Sequence, residues 1–398
     1  MRMKTVLAAS ASLAVLGLAA PAMADEGISA KPMINARLRY ENVSQANALG
    51  DADAITLRIR AGGELKVEGF SLLGEVEGNI PFTDSYNNTL PKDGAEPYSV
   101  VADPESFEIN RIQLSYMKDG TGATVGRQRI IHDSARFVGN VGWRQNEQTF
   151  DAIRAQGKFG PVTLDAAYAI NQRTIFGSES PNKEFEGDFI LLNGGAKLGP
   201  AEIKAFYYAL DYDTRIAFSS ETIGVLAKAD VDIGIAKVNA LASYATQGEY
   251  GLNPAAYQAD YYNVELGGTV AGFSLKAGYE VLGSDGGVAA FQTPLATLHA
   301  FNGWADVFLT TPAAGLTDLY FGAGYNLKAI PGIPGLNLQV IYHRFDSDAG
   351  SISYGSEWNA SAGFKLGPVS FLAKYAAYNA DLFGVDTDKF WLQAETSF

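Results

Sequence analysis

Cysteine is absent from the 398-residue chain. That absence excludes disulfide frameworks, thiolate metal sites and cysteine nucleophiles together. Histidine is scarce: His132, His299 and His343 stand at spacings that match no zinc or haem motif. No metal and no cofactor is therefore expected. Beyond residue 24 there is no apolar run of the roughly 20 residues that a membrane helix needs, so spanning by helices is excluded. A closed barrel is then the one architecture that could still cross a bilayer. Basic residues are outnumbered, with 30 Lys and Arg against 44 Asp and Glu and a net charge of -14. Such a balance argues against nucleic acid as a partner. It leaves open what an enclosed lumen binds, because charge can be segregated.

At the start of the chain, Arg2 and Lys4 precede an apolar stretch from Thr5 to Ala20, and Ala22-Met23-Ala24 precedes Asp25. A positive head, a short apolar segment and an A-x-A triplet predict a cleaved signal peptide over residues 1–24. Residues 25–398 are then expected to form a single exported domain.

What is abundant points the same way. The chain has 43 Gly, 20 Tyr and 22 Phe, which suits short turns and aromatic girdles. From Lys31 onward, segments of about ten residues alternate between apolar and polar positions, a period of two. Leu57 and Ile59 alternate with Thr56, Arg58 and Arg60, and Ile112, Leu114 and Tyr116 alternate with Arg111, Gln113 and Ser115. Short turns recur in similar wording, among them Phe159-Gly160-Pro161, Leu198-Gly199-Pro200 and Leu366-Gly367-Pro368. Longer polar stretches lie between them, for example Pro81 to Pro104 and Gly283 to Thr297. The expected fold is all-β: a transmembrane antiparallel β-barrel of about 18 strands, with short periplasmic turns and long extracellular loops. Parity assigns Phe301 to Thr310 to a loop, since counting it as a strand gives an odd number. The last segment places Phe390, Leu392, Ala394, Thr396 and Phe398 on one face. A strand ending in Phe398 resembles the signal read by barrel-assembly machinery, a partner expected alongside outer-membrane lipid.

Arginine is unevenly placed. Arg37, Arg39, Arg58, Arg60, Arg111, Arg127, Arg129, Arg136, Arg144 and Arg154 fall early, and only Arg173, Arg215 and Arg344 follow. Several are i, i+2 pairs, which share one face of a strand. A lipid-facing Arg costs roughly 2 to 4 kcal/mol at the midplane, so these pairs are expected to face the lumen. The pattern fits an electropositive constriction for anionic solutes. It also fits an Arg-carboxylate ladder that braces the wall, with Glu41, Glu75, Glu77 and Asp151 as partners. Around His299, Trp304 and Asp306 the loop either plugs the lumen or caps the rim. No Ser-His pair with an orienting partner is present in the pattern, so an enzyme is not expected. A barrel that only anchors a surface binding protein is the remaining class, and it would carry its bulk in longer loops.

The wording Gly126-Arg127-Gln128, Arg136-Phe137-Val138-Gly139, Trp143-Arg144-Gln145-Asn146 and Thr149-Phe150-Asp151-Ala152 resembles the signature of the alginate-export family of outer-membrane barrels. Thr297-Leu298-His299 with Gly303-Trp304-Ala305-Asp306 and Tyr320-Phe321-Gly322 looks like a second block of that family. The resemblance implies a monomeric eighteen-stranded barrel in the outer membrane of a Gram-negative bacterium, with an arginine-rich lumen. Carried over by motif, the lumen and anion-binding residues are Arg37, Arg39, Arg58, Arg60, Arg111, Arg127, Arg129, Arg144, Arg154 and Asp151. The implied function is a channel for anionic solutes, either exporting an alginate-like acidic polysaccharide or admitting small anions and sugars.

Overall fold

The computed structural model describes residues 27–91, 97–328, 330, 332–333 and 335–398. The expected signal peptide lies outside the described residues, as do Pro331 and Pro334 in one expected turn. Eighteen antiparallel strands form one closed sheet among the described residues. They begin with β1 (Ile28–Gln45), β2 (Ala52–Val67), β3 (Phe70–Pro81), β4 (Ser106–Lys118), β5 (Thr121–Gln128) and β6 (Thr149–Phe159). Next come β7 (Val162–Arg173), β8 (Glu184–Leu198), β9 (Ala201–Tyr212), β10 (Ser220–Asp232), β11 (Lys237–Glu249) and β12 (Gln258–Val270). The series ends with β13 (Phe273–Leu282), β14 (Leu316–Leu327), β15 (Leu336–Asp346), β16 (Ser353–Leu366), β17 (Val369–Ala380) and β18 (Thr387–Ser397). Each strand pairs with the next, and β18 closes on β1 in a register running from Asn35 opposite Ser397 to Gln45 opposite Thr387. Closure leaves no open edge of the sheet, so the strands find their ladder partners within it.

The polarity of the wall is inverted relative to a water-soluble barrel. Ile112 and Leu114 of β4 are about half exposed on the outside, whereas Arg39 and Arg58 on the inner face are each 1% exposed. The period of two does this: one residue in two meets lipid and the next meets the interior.

Short connections gather at one end. Glu68-Gly69, Asp119-Gly120 and Ala271-Gly272 each have positive φ at both positions, the turn geometry that matches strand twist in two-residue hairpins. Gly160, Gly199 and Gly367, each followed by proline, also sit at positive φ. The three Gly-Pro turns expected from the sequence lie at this end, and Phe301 to Thr310 forms no strand, as parity required.

At the other end lie the longest connections, and three of them turn inward, over residues 82–91 with 97–105, 129–148 and 283–315. Their side chains make up much of the core. Phe137 packs on Phe206 and Tyr261, and Phe308 packs on Phe345 and Phe383. The apolar core therefore fills the mouth of the barrel at the long-loop end.

Candidate functional site in the barrel interior

Of the nine arginines expected in the lumen, seven line the inner wall from β1 to β6 and two lie on a segment packed against it, and each has a carboxylate beside it. Arg37 and Arg58 stand opposite one another across β1 and β2 and share Glu395 of β18 at 3.0 and 2.9 Å. Arg111 meets Glu75 through two bonds of 2.9 Å, and Arg127 meets Asp151 at 2.7 and 2.9 Å. Arg154 pairs with Asp165, and Arg60 pairs with Glu77. The loosest is Arg39, 3.8 Å from Asp103, whose guanidinium also lies 4.1 Å from the Trp143 ring. Fork-shaped Arg-carboxylate pairs are geometrically specific as well as strong.

Arg129 and Arg144 sit off the strands, on the inward segment 129–148. There they tie the segment to the wall. Arg144 reaches Glu41 of β1 at 2.9 Å, and Arg129 contacts Glu75 of β3 at 3.3 Å. Glu147 of the same segment is fully buried between Arg60, at 3.7 Å, and Arg129. Burial opposes its charge, but the two guanidinia hold its carboxyl down to about 2.

The segment 283–315 docks on 129–148. Gly139 N-H donates to Leu295 O at 2.8 Å and Thr297 N-H donates to Ala135 O at 3.0 Å. Arg136 crosses to Glu280 of β13 at 2.7 Å and to Asn302 at 3.1 Å. Trp143 and His299 stack with ring centroids 4.4 Å apart. His299 Nδ1 lies 2.7 Å from Asp306, and Lys374 of β17 approaches its Nε2 at 2.6 Å. A lysine ammonium can only donate, so the ring accepts at Nε2 and donates from Nδ1. Burial, joined by the Lys374 and Arg144 charges, pushes the imidazole down to about 3 and keeps it neutral. Asp306 also contacts Lys389 at 3.1 Å. Burial opposes its charge, yet His299 and Lys389 hold its carboxyl well below the usual range. The Lys374 ammonium is 3.7 Å from the Trp304 ring and 4.2 Å from that of Trp143, a cation held by aromatic faces.

Above these segments lies a cavity of about 740 Å³. Arg144, Arg215 and Lys389 border it against the single carboxylate of Asp306. Arg215 differs from the ladder arginines. Its guanidinium lies 4.1 Å from the Phe218 ring and 4.4 Å from the Phe185 ring, and no carboxylate pairs with it among the described residues. Aromatic faces on the flat of a guanidinium leave its N-H edge free for an oxyanion.

Sequence reasoning reached the wall arginines and Asp151 but missed Glu147, Asp165, Glu395, Lys374 and Arg215. Asp165 and Glu395 had a usable signal, an acidic residue at an inward position of a strand, whereas Glu147 lies in a connection and had none. Arg215 had none, being a lone arginine in a short connection.

The family profile described as alginate export matches residues 34–251. Among solved structures, Acinetobacter baumannii OccAB4 superposes with a TM-score of 0.72 at 12% identity, covering 94% of this chain and 99% of that one. Pseudomonas aeruginosa OccK9 (OpdG) gives 0.71 at 14% identity, with 93% and 98% covered. Pseudomonas aeruginosa OpdK, solved with vanillate, gives 0.71 at 13% identity, with 93% and 98% covered. No curated protein sequence matches the chain. The neighbours are outer-membrane channels, and at these identities they share the fold.

Proposed function

The chain belongs to the alginate-export family of outer-membrane channels, and from that membership we propose that it passes small organic anions through a lumen narrowed by its own segments. It is a channel and not an enzyme. The observation that carries the proposal is the cavity of about 740 Å³ with three cationic side chains and one carboxylate on its border. That volume lies in the usual range of roughly 300 to 1,000 Å³ for small-molecule sites. Its charge attracts anions, and Phe185, Phe218 and Phe383 on its wall suit an apolar body. OpdK, with the same barrel, is seen with vanillate, a small aromatic carboxylate.

In this reading the paired arginines Arg37, Arg39, Arg58, Arg60, Arg111, Arg127, Arg129 and Arg154 brace the wall. Together with Asp151 and the other carboxylates they set the field across the lumen. Free charge is met at Arg215, while Arg144 and Lys389 on the same cavity border are paired with Glu41 and Asp306. Segment 283–315, bearing His299, Trp304 and Asp306, acts as a plug. An alginate-like polymer would need the cross-section that segments 129–148 and 283–315 occupy, so its export requires both to withdraw. A small anion passes without that. Residues 1–24 direct export, and the long-loop end faces outward.

Swelling of liposomes containing the mature chain tests the proposal. Benzoate should enter at least fivefold faster than a neutral sugar of similar size. Equal rates would leave a general small-solute pore.

A further inference from the structure

The turn Asn302–Asp306 is where segment 283–315 meets the wall. Asn302, Gly303 and Asp306 have φ of 55°, 86° and 60°, so the backbone curls and its amides converge. Successive N-H groups in such a turn make an anion-binding concavity. What occupies it is the chain's own Glu357, on the inner face of β16. Its Oε1 accepts the N-H of Trp304 at 2.5 Å and that of Ala305 at 2.9 Å. A Cβ on residue 303 would fall 2.3 Å from Oε2, so the carboxylate fits only against glycine. Glu357 is 0% exposed, yet Oε2 finds no hydrogen-bond partner among the described residues. A buried carboxylate with one oxygen unsatisfied is a costly arrangement. Ala305 and Asp306 also border the cavity described above, so the turn backs onto that space.

We propose that the Trp304 and Ala305 amides form a carboxylate-binding site whose resident ligand is Glu357, and that a small monocarboxylate replacing it loosens segment 283–315. The exchange swaps one carboxylate for another at the same two donors. A solute that brings both oxygens into hydrogen bonds does better there than Glu357 does, and water entering as the turn lifts solvates the displaced side chain. The contacts of Asp306 with His299 and Lys389, and of His299 with Lys374, stay in place. The segment therefore shifts and is not expelled. The inference rests on the channel reading for the supply of carboxylate and on the turn alone for the site.

Single-channel records of the refolded mature chain, with benzoate added to a chloride bath, test this. The wild type should show a saturable rise of at least twofold in open-state conductance. Glu357→Gln weakens the resident ligand, and Gly303→Ala drives a methyl group into the carboxylate from the loop side. Both should start from the higher conductance and respond less than half as much to benzoate. Heat-modifiable migration in detergent gels reports whether each barrel is folded. If Glu357→Gln fails that check, Gly303→Ala, which leaves the wall unchanged, carries the test. Identical benzoate responses in wild type and folded variants would overturn the proposal. The reversal potential in the same records separates the two readings: loss of anion selectivity removes the proposed function, while the benzoate response still decides the turn.

Discussion

Arg215 and Arg60 show how differently one side chain is used in this barrel. Arg60 lies between Glu77 and Glu147 and is nearly buried, whereas Arg215 has aromatic rings beside its guanidinium and no carboxylate partner among the described residues. Arg215→Ala should therefore raise the benzoate concentration that half-saturates the current response about tenfold, from the roughly 1.5 kcal/mol of a charge-assisted hydrogen bond, and leave unfolding unchanged. Titration of bilayer current with benzoate and urea-induced unfolding check the two halves. The opposite split is expected for Glu147→Gln. Removing one member of a buried ion pair strands the other, at about 3 kcal/mol, so the unfolding midpoint should drop while selectivity holds. The imidazole of His299 gives a pH dependence. Its value falls from the ordinary 6.5 to about 3 when the segment is seated. Protonation thus favours the unseated state: seating is fully supported above pH 6.5 and weakens as pH falls toward about 3. Current noise should rise over that window in the wild type and stay flat in His299→Gln.

At the scale of elements, the strands and their turns were legible because each is specified locally. Leu114 and Arg111 declare the two faces of β4, and the Gly-Pro and X-Gly turns mark the short end. The inward path of segment 283–315 was not legible, because it depends on pairings such as Leu295 with Gly139 and Glu357 with Trp304 that no local pattern encodes. Lys374 reads in the sequence as one more inward lysine, and only packing reveals that Trp143 and Trp304 surround it. The wall arginines could be found from their spacing, but Glu395 could not be matched to Arg37 before β18 was known to lie against β1. Deleting residues 301–310 should raise single-channel conductance severalfold if the segment plugs the lumen. Unchanged conductance would place it at the rim.

For the molecule as a whole, an acidic chain carries an interior in which most positive charge is already cancelled. The ion pairs hold wall and inward segments together, and the uncancelled positive charge at the cavity is that of Arg215, which has no carboxylate partner among the described residues. That arrangement predicts selectivity for anions despite the net charge of -14, and it predicts a size limit set by segments 129–148 and 283–315. Planar-bilayer recording across a potassium chloride gradient, with benzoate and oligoalginate added in turn, tests this most directly. The account predicts a reversal potential on the anion side, with benzoate interacting saturably and oligoalginate having little effect. A cation-side reversal potential, or tight block by oligoalginate with no response to benzoate, would contradict it.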